Sequence, residues 1–206
     1  MAEAVTRRSV VFYDTEFTTW PGAMENGWRE PGQYREIAQI GAVRFNLDTM
    51  REEDEFDILV KPVKNPVVSD FFTELTGIAQ KDIDEKGVSF PDAYRLFTAF
   101  IGADKTCCYG RDADVMRENL GWNGMPHAPE NFDSLDIGPW FKCEGKPFGV
   151  QEKTNSGRLA AALGAPMSAI QEHNALHDAR SIAAAYRFLK GKGVKDFFRS
   201  LVVVHP

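Results

Sequence analysis

The sequence predicts a mixed α/β fold, in which a β-sheet with an antiparallel meander followed by parallel strands is flanked by helices. Residues 10–13 form an uninterrupted apolar run, which is typical of a central strand buried on both faces. Strand patterns at residues 36–45 and 55–61 follow, and the short polar turn at residues 46–50 allows them to pair. Helical patterns then alternate with a further strand pattern, which completes the signature of this fold class.

Four helices are predicted from apolar residues that recur at helical spacing between capping residues. The first begins after Ser89 and ends before Gly102, and it leads into a strand at residues 105–109. Ser156 and Asn174 are suitable N-caps for two of the others. The three further helices, each followed by a glycine, are predicted over residues 112–120, 156–163 and 174–190.

The composition of the 206-residue chain is that of a soluble globular protein with one domain, at 43% hydrophobic and 26% charged residues. Asp14 interrupts the first apolar run, so we expect neither a signal peptide nor a membrane span, and the cytoplasm is the default compartment. Cys107, Cys108 and Cys143 lack C-x-x-C spacing and are interpreted as reduced thiols, with the vicinal pair on opposite strand faces. Residues 19–35 form a long polar loop.

The formal net charge of −6 argues against a protein that coats long nucleic acids through electrostatic attraction alone. The same charge is compatible with a protein that grips the end of a strand. Divalent cations bound where acids cluster would cancel part of the charge locally.

Two acids follow the first predicted strand, and the spacing places them on one side. Asp14 and Glu16 are two residues apart, so they project from the same face, roughly 7 Å apart along the chain. Both can therefore reach one cluster of ions. An isolated D-x-E pair is more often a solvated strand end, so this pattern needs further support.

A histidine and an acid meet at the predicted start of the last helix. With Asn174 as the N-cap, His173 precedes the cap and Asp178 is the fourth helical residue, and side chains at these two positions come into contact. Taken alone, His173 is more often a loop histidine that caps its own backbone. His177, in the first turn, is interpreted as a solvated residue.

A third acidic position opens the helix predicted at residues 112–120. Asp112 belongs to the buried stripe of this helix, whereas Asp114 falls between the apolar positions and faces away. An acid in a first turn is ordinarily only a favourable partner of the helix dipole. Asp112 is the preferred site residue, and Asp114 is the alternative.

Five segments together resemble the DEDDh 3′–5′ exonucleases, a branch of the ribonuclease H-like superfamily. The nearest types are the small-RNA-trimming and sporulation-inhibitor exonucleases. One departure is that only Arg111 separates Gly110 from Asp112, which keeps Asp114 as the alternative ligand. In family order, the segments are D-T-E-F-T (14–18), R-E-I-A-Q-I-G-A-V (35–43), F-x-T-E-L-T-G-I (71–78), D-A-D-V-M-R-E-N (112–119) and H-N-A-L-H-D-A (173–179).

This resemblance implies a single exonuclease domain over residues 1–206, with a ribonuclease H-like fold. It implies hydrolysis of single-stranded RNA or DNA from the 3′ end, with release of nucleoside 5′-monophosphates. Two Mg²⁺ or Mn²⁺ ions are the implied cofactors, because four ionised carboxylates do not share a pocket without cations. His173 is the implied general base, and the implied catalytic metal ligands are Asp14, Glu16, Asp112 and Asp178.

The resemblance also implies a site for the terminal nucleotide, formed by Phe17, Thr18, Leu75 and Thr76. Arg35, Arg111 and Arg180 are candidate phosphate contacts, while Trp20 and Trp28 either hold a base or pin the long loop. The alternative interpretation is a catalytically silent nucleic-acid-binding module on the same fold. The sequence leaves open the choice between RNA and DNA and the oligomeric state.

Overall fold

The computed structural model describes residues 8–125, 134–167 and 173–199. Its strands in these ranges are β1 (Ser9–Phe17), β2 (Ile37–Asn46), β3 (Arg51–Leu59), β4 (Lys105–Cys108) and β5 (Ser134–Asp136). They form one sheet in the order β3-β2-β1-β4-β5. β2 pairs antiparallel with β1 and β3, whereas β4 pairs parallel with β1 and β5. The predicted antiparallel meander followed by parallel strands is therefore confirmed, with β1 at the centre.

Helices flank this sheet on both sides. Two short 3₁₀ segments, Lys146–Phe148 and Ser156–Arg158, also occur. No helix in the described ranges has both the length and the apolar character needed to cross a bilayer. The helices are α1 (Ala23–Asn26), α2 (Asp70–Thr76), α3 (Gln80–Lys86), α4 (Phe90–Ile101), α5 (Asp112–Trp122), α6 (Gly138–Glu144), α7 (Leu159–Leu163) and α8 (Ala175–Gly191).

The side chains of β1 alternate between two apolar cores, one on each face of the sheet. Phe12 belongs to the core shared with α7 and α8, and Tyr13 belongs to the core shared with α4 and α5. Cys107 and Cys108 divide in the same way on β4, as predicted for the vicinal pair. By the same alternation, Asp14 and Glu16 lie on the same face of the sheet as Phe12. This is the side that α8 covers.

Two of the predicted helix starts are confirmed by their capping hydrogen bonds. The Ser89 hydroxyl accepts a hydrogen bond from the backbone N–H of Asp92 at the start of α4. The Asn174 side chain accepts one from the N–H of His177 at the start of α8, at 3.1 Å. Each bond satisfies a backbone donor that the first helical turn would otherwise leave open.

Three element predictions are corrected. β1 continues to Phe17, so its two acids lie inside the strand, because β2 pairs along its whole length. β3 begins at Arg51, earlier than residue 55, since pairing with β2 extends into a run of charged residues. Asn155 rather than Ser156 caps the segment before α7, and its side chain accepts a hydrogen bond from the N–H of Arg158.

Several elements have no counterpart among the predictions: α1, α2, α3, α6 and β5. They are three to seven residues long, so they contain too few residues to establish a hydrophobic period. α1 lies inside the stretch interpreted as a loop, at residues 19–35.

Candidate active site

A cavity of about 300 Å³ lies over the carboxyl-terminal part of β1. This volume is at the lower end of the range for small-molecule sites. The lining includes the five residues that the family resemblance implies to be catalytic: Asp14, Glu16, Asp112, His173 and Asp178. The fold thus brings three separate segments of the chain to one place.

Three of the acids are close enough to share a cation. One carboxylate oxygen from each of Asp14, Glu16 and Asp178 lies within 4.8 Å of the others. All three residues are at least nine-tenths buried. Oxygen donors of this kind are those that Mg²⁺ and Mn²⁺ prefer, so the donor set fits a divalent ion.

The close approach of α8 to the sheet places Asp178 beside the acids of β1. Gly41 on β2 pairs with Asp14, and a Cβ at Gly41 would lie 2.0 Å from the backbone nitrogen of Leu176. The Gln39 side chain accepts a hydrogen bond from the N–H of Ala175, at 3.0 Å. Gly41 and Gln39 on β2 therefore determine where the first turn of α8 packs against the sheet.

Two residues before α7 hold the Asp178 carboxylate from its other side. Ser156 Oγ donates a hydrogen bond to Asp178 Oδ2, at 3.1 Å. A Cβ at Gly157 would lie 2.4 Å from Asp178 Oδ1, so only glycine leaves room for the carboxylate. Neither residue is among the predicted site residues, because their contact with Asp178 depends on the fold and not on a local spacing.

Of the two acids at the start of α5, Asp112 faces the cavity and Asp114 does not. Asp112 is buried in the cavity, and its Oδ1 accepts hydrogen bonds from the N–H and hydroxyl of Thr15, at 3.0 and 2.7 Å. Asp114 points outward and forms ion pairs with Arg111 and Arg117. The one-residue departure from the family pattern therefore leaves Asp112 facing the site.

Burial and mutual repulsion make the site acids resist ionisation in the protein alone. Burial raises the pKa of Asp14 well above its ordinary value, and the charges of Asp112, Asp178 and Glu16 raise it further. The pKa of Glu16 is also raised well above its ordinary value, first by burial and then by Asp178 and Asp112. Burial raises the pKa of Asp112 to about 6, although its hydrogen bonds from Thr15 favour the charged form. Positive charge in the cavity would reverse these shifts.

His173 lies where the sequence predicts it, directly before the N-cap of α8, and it lines the same cavity as Asp178. Its φ angle is +59°, in the left-handed region that non-glycine residues seldom adopt. Strained backbone of this kind is concentrated at functional sites. His173 therefore lies beside the acids at the cavity, and its catalytic role stays a prediction.

The four residues expected to enclose a nucleotide fall into two pairs. Phe17 and Leu75 line the cavity. The cavity lining does not include Thr18 or Thr76, whose hydroxyls instead make hydrogen bonds within the protein. Thr18 Oγ1 donates to the carbonyl of Tyr34, and Thr76 Oγ1 donates to the carbonyl of Phe72. The side chains of the two threonines therefore stabilise the walls rather than form their surface.

The loop at residues 19–35 adds further wall residues to the cavity. Met24 and Trp28 line it, and Met24 is 75% exposed. The Trp28 ring packs edge-on against Phe17, with ring centroids 5.5 Å apart. Trp20 is not among the lining residues. The two tryptophans thus differ, and Trp28 is the one placed to touch a bound molecule.

Two of the three candidate phosphate-binding arginines form ion pairs with acids of the protein and do not line the cavity. Arg35 pairs with Glu118 and is 9% exposed. Arg180 pairs with Glu52 and Glu55 on β3, and it does not line the cavity. The cavity lining includes only Arg111 of the three.

Comparison with known proteins identifies the family of the chain. The Exonuclease (RNase_T) family model matches residues 11–186. The chain belongs to the exonuclease family. The match extends from the first residues of β1 through most of α8, so it includes every segment that contributes acids to the cavity.

The family match confirms the predicted resemblance to exonucleases, and the names of the relatives agree with the DEDDh 3′–5′ type. The 3′-5′ exonuclease Snipper of Drosophila melanogaster is 36% identical over 92 residues, which are 45% of this chain and 31% of Snipper. ERI1 exoribonuclease 2 of Mus musculus is 46% identical over 76 residues, which are 37% of this chain and 10% of that protein. The aligned part thus spans a third or less of each relative.

The fold is also shared with solved structures. The nuclease domain of 3′hExo, described as a DEDDh family member bound to rAMP, superposes with a TM-score of 0.75 at 22% identity. The superposition covers 93% of this chain and 96% of that domain. The mixed sheet flanked by helices is therefore the ribonuclease H-like fold predicted from the motifs.

Proposed function

We propose that residues 1–206 form a single exonuclease domain that hydrolyses single-stranded RNA or DNA from the 3′ end. The products are nucleoside 5′-monophosphates, and two Mg²⁺ or Mn²⁺ ions are required. The 3′–5′ direction is supported by the activity named for Snipper, and RNA as a substrate is supported by the name of the mouse exoribonuclease. The cytoplasm is retained as the proposed compartment, the default when Asp14 interrupts the first apolar run.

One observation carries this proposal: buried acids from three segments converge on one cavity. Asp14, Glu16 and Asp178 present oxygens within 4.8 Å of one another, and Asp112 lines the same cavity. Such a cluster destabilises the protein unless positive charge offsets it. A cluster with no function would be expected to lose members, whereas all four acids are present here.

The donor set fits divalent ions, with Asp14, Glu16, Asp112 and Asp178 as the residues that would hold them. When bound, such ions supply positive charge for the scissile phosphate and acidify the attacking water. Ser156 and Thr15 fix the orientation of two of these carboxylates through hydrogen bonds. The protein therefore preorganises the oxygens before any ion arrives.

The side chains around the acids have separate tasks in this proposal. His173 accepts a proton from the attacking water, because imidazole exchanges protons near neutral pH more readily than other side chains. Phe17 stacks on the terminal base, which is worth about 1–3 kcal/mol and tolerates different bases. Leu75 and Trp28 close the apolar wall beside Phe17.

The direct test is cleavage of oligonucleotides labelled at the 3′ end or at the 5′ end, with Mg²⁺, with Mn²⁺ and with EDTA. A 3′–5′ exonuclease releases the 3′ label first as a mononucleotide and shortens the 5′-labelled strand stepwise. EDTA and Asp14→Asn are expected to abolish both effects. Matched RNA and DNA sequences in the same assay determine the preferred sugar.

The competing function is a silent nucleic-acid-binding module, which would bind these strands without shortening them. Binding with no cleavage in either metal would support that module and overturn the proposed exonuclease. Equal cleavage by the parent and Asp14→Asn would show that a contaminating nuclease is responsible.

The role of His173 is tested by His173→Asn, because asparagine tolerates the positive φ that alanine does not. We expect the cleavage rate to fall about 100-fold or more, in line with loss of a general base. Metal affinity, measured by calorimetry, should change little. Equal losses of rate and metal affinity would instead identify His173 as a metal ligand.

A further inference from the structure

We propose that Arg111 binds the phosphate of the nucleotide that precedes the scissile bond, so that the site favours strands over single nucleotides. This assignment rests on the proposed exonuclease function. It concerns a residue that departs from the family pattern, since Arg111 alone separates Gly110 from Asp112.

The cavity has an apolar wall on one side of β1 and a polar wall on the other. Leu75 belongs to α2, which packs against residues of β2 and β3 through Phe72. Tyr109 and Arg111 follow β4, which lies on the opposite side of β1 in the sheet. The acids of β1 lie between these walls.

This arrangement sets the direction of a bound strand. A terminal base that stacks against the apolar wall leaves its 5′ phosphate over the acids. The preceding nucleotide must then continue away from the apolar wall, towards the residues that follow β4. Arg111 is the positively charged side chain among the described lining residues that follow β4.

The charges of the cavity lining also single out Arg111 as a phosphate contact. Among the described lining residues, Arg111 is the only lysine or arginine, against four acids. Phosphodiester chains carry one negative charge per nucleotide, and proteins retain them through lysine and arginine contacts. Bound metal ions would serve the scissile phosphate, whereas the next phosphate needs a protein side chain.

The Arg111 side chain is accessible to a bound phosphate. Its side chain is 75% exposed, and its Nε donates to Asp114 Oδ2 at 3.2 Å. Asp114 also accepts from Arg117 at 2.9 Å, so one carboxylate is shared between two guanidinium groups. The Asp114 carboxylate is therefore divided between two cations and does not neutralise Arg111 alone. Arginine can present its remaining N–H groups to a phosphate while keeping this ion pair.

The experiment measures binding of a 5′-fluorescein single-stranded oligonucleotide and of a nucleoside 5′-monophosphate, both with Ca²⁺ to limit turnover. Arg111→Gln is compared with Arg117→Gln, a matched control on α5 that pairs with the same acid but does not line the cavity. Both side chains are exposed, so both variants should fold like the parent.

For Arg111→Gln, we expect oligonucleotide affinity to fall about 10-fold at low salt, and the salt slope of log affinity to shrink by about 0.7. Mononucleotide affinity should not change, and Arg117→Gln should behave like the parent. Asp114→Asn should bind oligonucleotide at least as tightly as the parent, because it releases Arg111.

Unchanged oligonucleotide binding by Arg111→Gln would overturn the assignment, and so would an equal loss in both arginine variants. A loss that is equal for mononucleotide and oligonucleotide would place Arg111 at the terminal nucleotide instead. Because the readout is binding, a parent that binds strands through Arg111 but never cleaves them would refute only the proposed catalysis. A parent that binds no oligonucleotide would refute both proposals.

Discussion

Asp14 occupies a position where a charged side chain is costly unless a cation is near. It lies on the central strand, it is buried, and Glu16 and Asp178 are within 4.8 Å through their oxygens. In the metal-free protein this raises its pKa well above the ordinary value, with burial as the main cause. A single residue thereby links the stability of the protein to its ability to bind ions.

Asp14→Asn is expected to stabilise the metal-free protein at about pH 8, because a neutral amide replaces a carboxylate whose ionisation is opposed by burial and by neighbouring acids. The raised pKa means that Asp14 favours folding when protonated, and this contribution is lost as the pH rises. The advantage of the variant should therefore vanish near pH 4. Thermal unfolding in EDTA measures it, with Glu74→Gln, an exposed acid on α2, as the control. An advantage that is constant with pH would contradict this cause.

Gly157 shows how a residue without a functional group supports the site. An added Cβ would lie 2.4 Å from Asp178 Oδ1 and 3.0 Å from Oδ2. The carboxylate would have to move, and its hydrogen bond from Ser156 would then be lost. The small size of residue 157 thus determines where an acid on another element can lie.

Gly157→Ala should lower the affinity for Mg²⁺ or Mn²⁺ and the cleavage rate by about 10-fold or more, as expected when a supporting contact of a ligand is disturbed. Gly121→Ala is the matched control, because a Cβ there meets nothing within 4 Å. On α5 that change should stabilise the protein by about 0.5–1 kcal/mol. Calorimetric titration with the metal gives the affinity, and an unchanged value for Gly157→Ala would show that the carboxylate accommodates the methyl group.

Among the elements, β2 and α8 together determine the position of the last acid. The absence of a side chain at Gly41 allows the backbone of α8 to approach the sheet at Leu176. Asn174 and Gln39 then fix the start of the helix through hydrogen bonds. The distance between this first turn and the sheet determines how far Asp178 lies from the acids of β1.

Gly41→Ala is expected to push the first turn of α8 away from the sheet, because the added Cβ would meet backbone atoms of Ala175 and Leu176. We expect destabilisation by about 2 kcal/mol or more, as for overpacked core positions. The folded fraction should bind metal weakly. Urea unfolding and metal titration check the two effects, and normal metal affinity in the folded variant would show that the position of Asp178 does not depend on this approach.

At the scale of the whole molecule, folding and ion binding are coupled because the cluster forms only when the sheet, α5 and α8 assemble. The unfolded chain has no such arrangement of acids, so ions bind the folded state preferentially and raise its stability. Protons compete with the ions for the same oxygens. The raised pKa values of Asp14, Glu16 and Asp112 place that competition above the usual range of carboxylates.

Mg²⁺ or Mn²⁺ at about 100 times its dissociation constant should stabilise the parent by about 2.7 kcal/mol near pH 8, a rise in Tm of about 5–10 °C. This rise should shrink as the pH falls below about 6, the pKa to which burial raises Asp112. NaCl of equal ionic strength controls for screening. A shift that is independent of pH, or that persists in Asp14→Asn, would place the bound ions elsewhere.

Local patterns in the sequence were sufficient to predict four of the five strands, the N-cap of α8 and the acids that line the cavity. The uninterrupted run at residues 10–13 indicates a central strand, and Asn174 indicates where α8 begins, because burial and capping depend on neighbouring residues. The choice of Asp112 over Asp114 also follows from helical periodicity. The DEDDh motifs then pointed to the chemistry.

Only the tertiary structure decided how the acids are supported and which side chains remain available to a ligand. Gly41, Gly157 and Ser156 act across contacts between distant segments, and no spacing in the chain records such contacts. The three candidate arginines look alike in the sequence, yet two are paired away from the cavity and Arg111 lines it. The physical reason is that local propensity determines which secondary structure forms, whereas tertiary packing determines which residues its side chains contact.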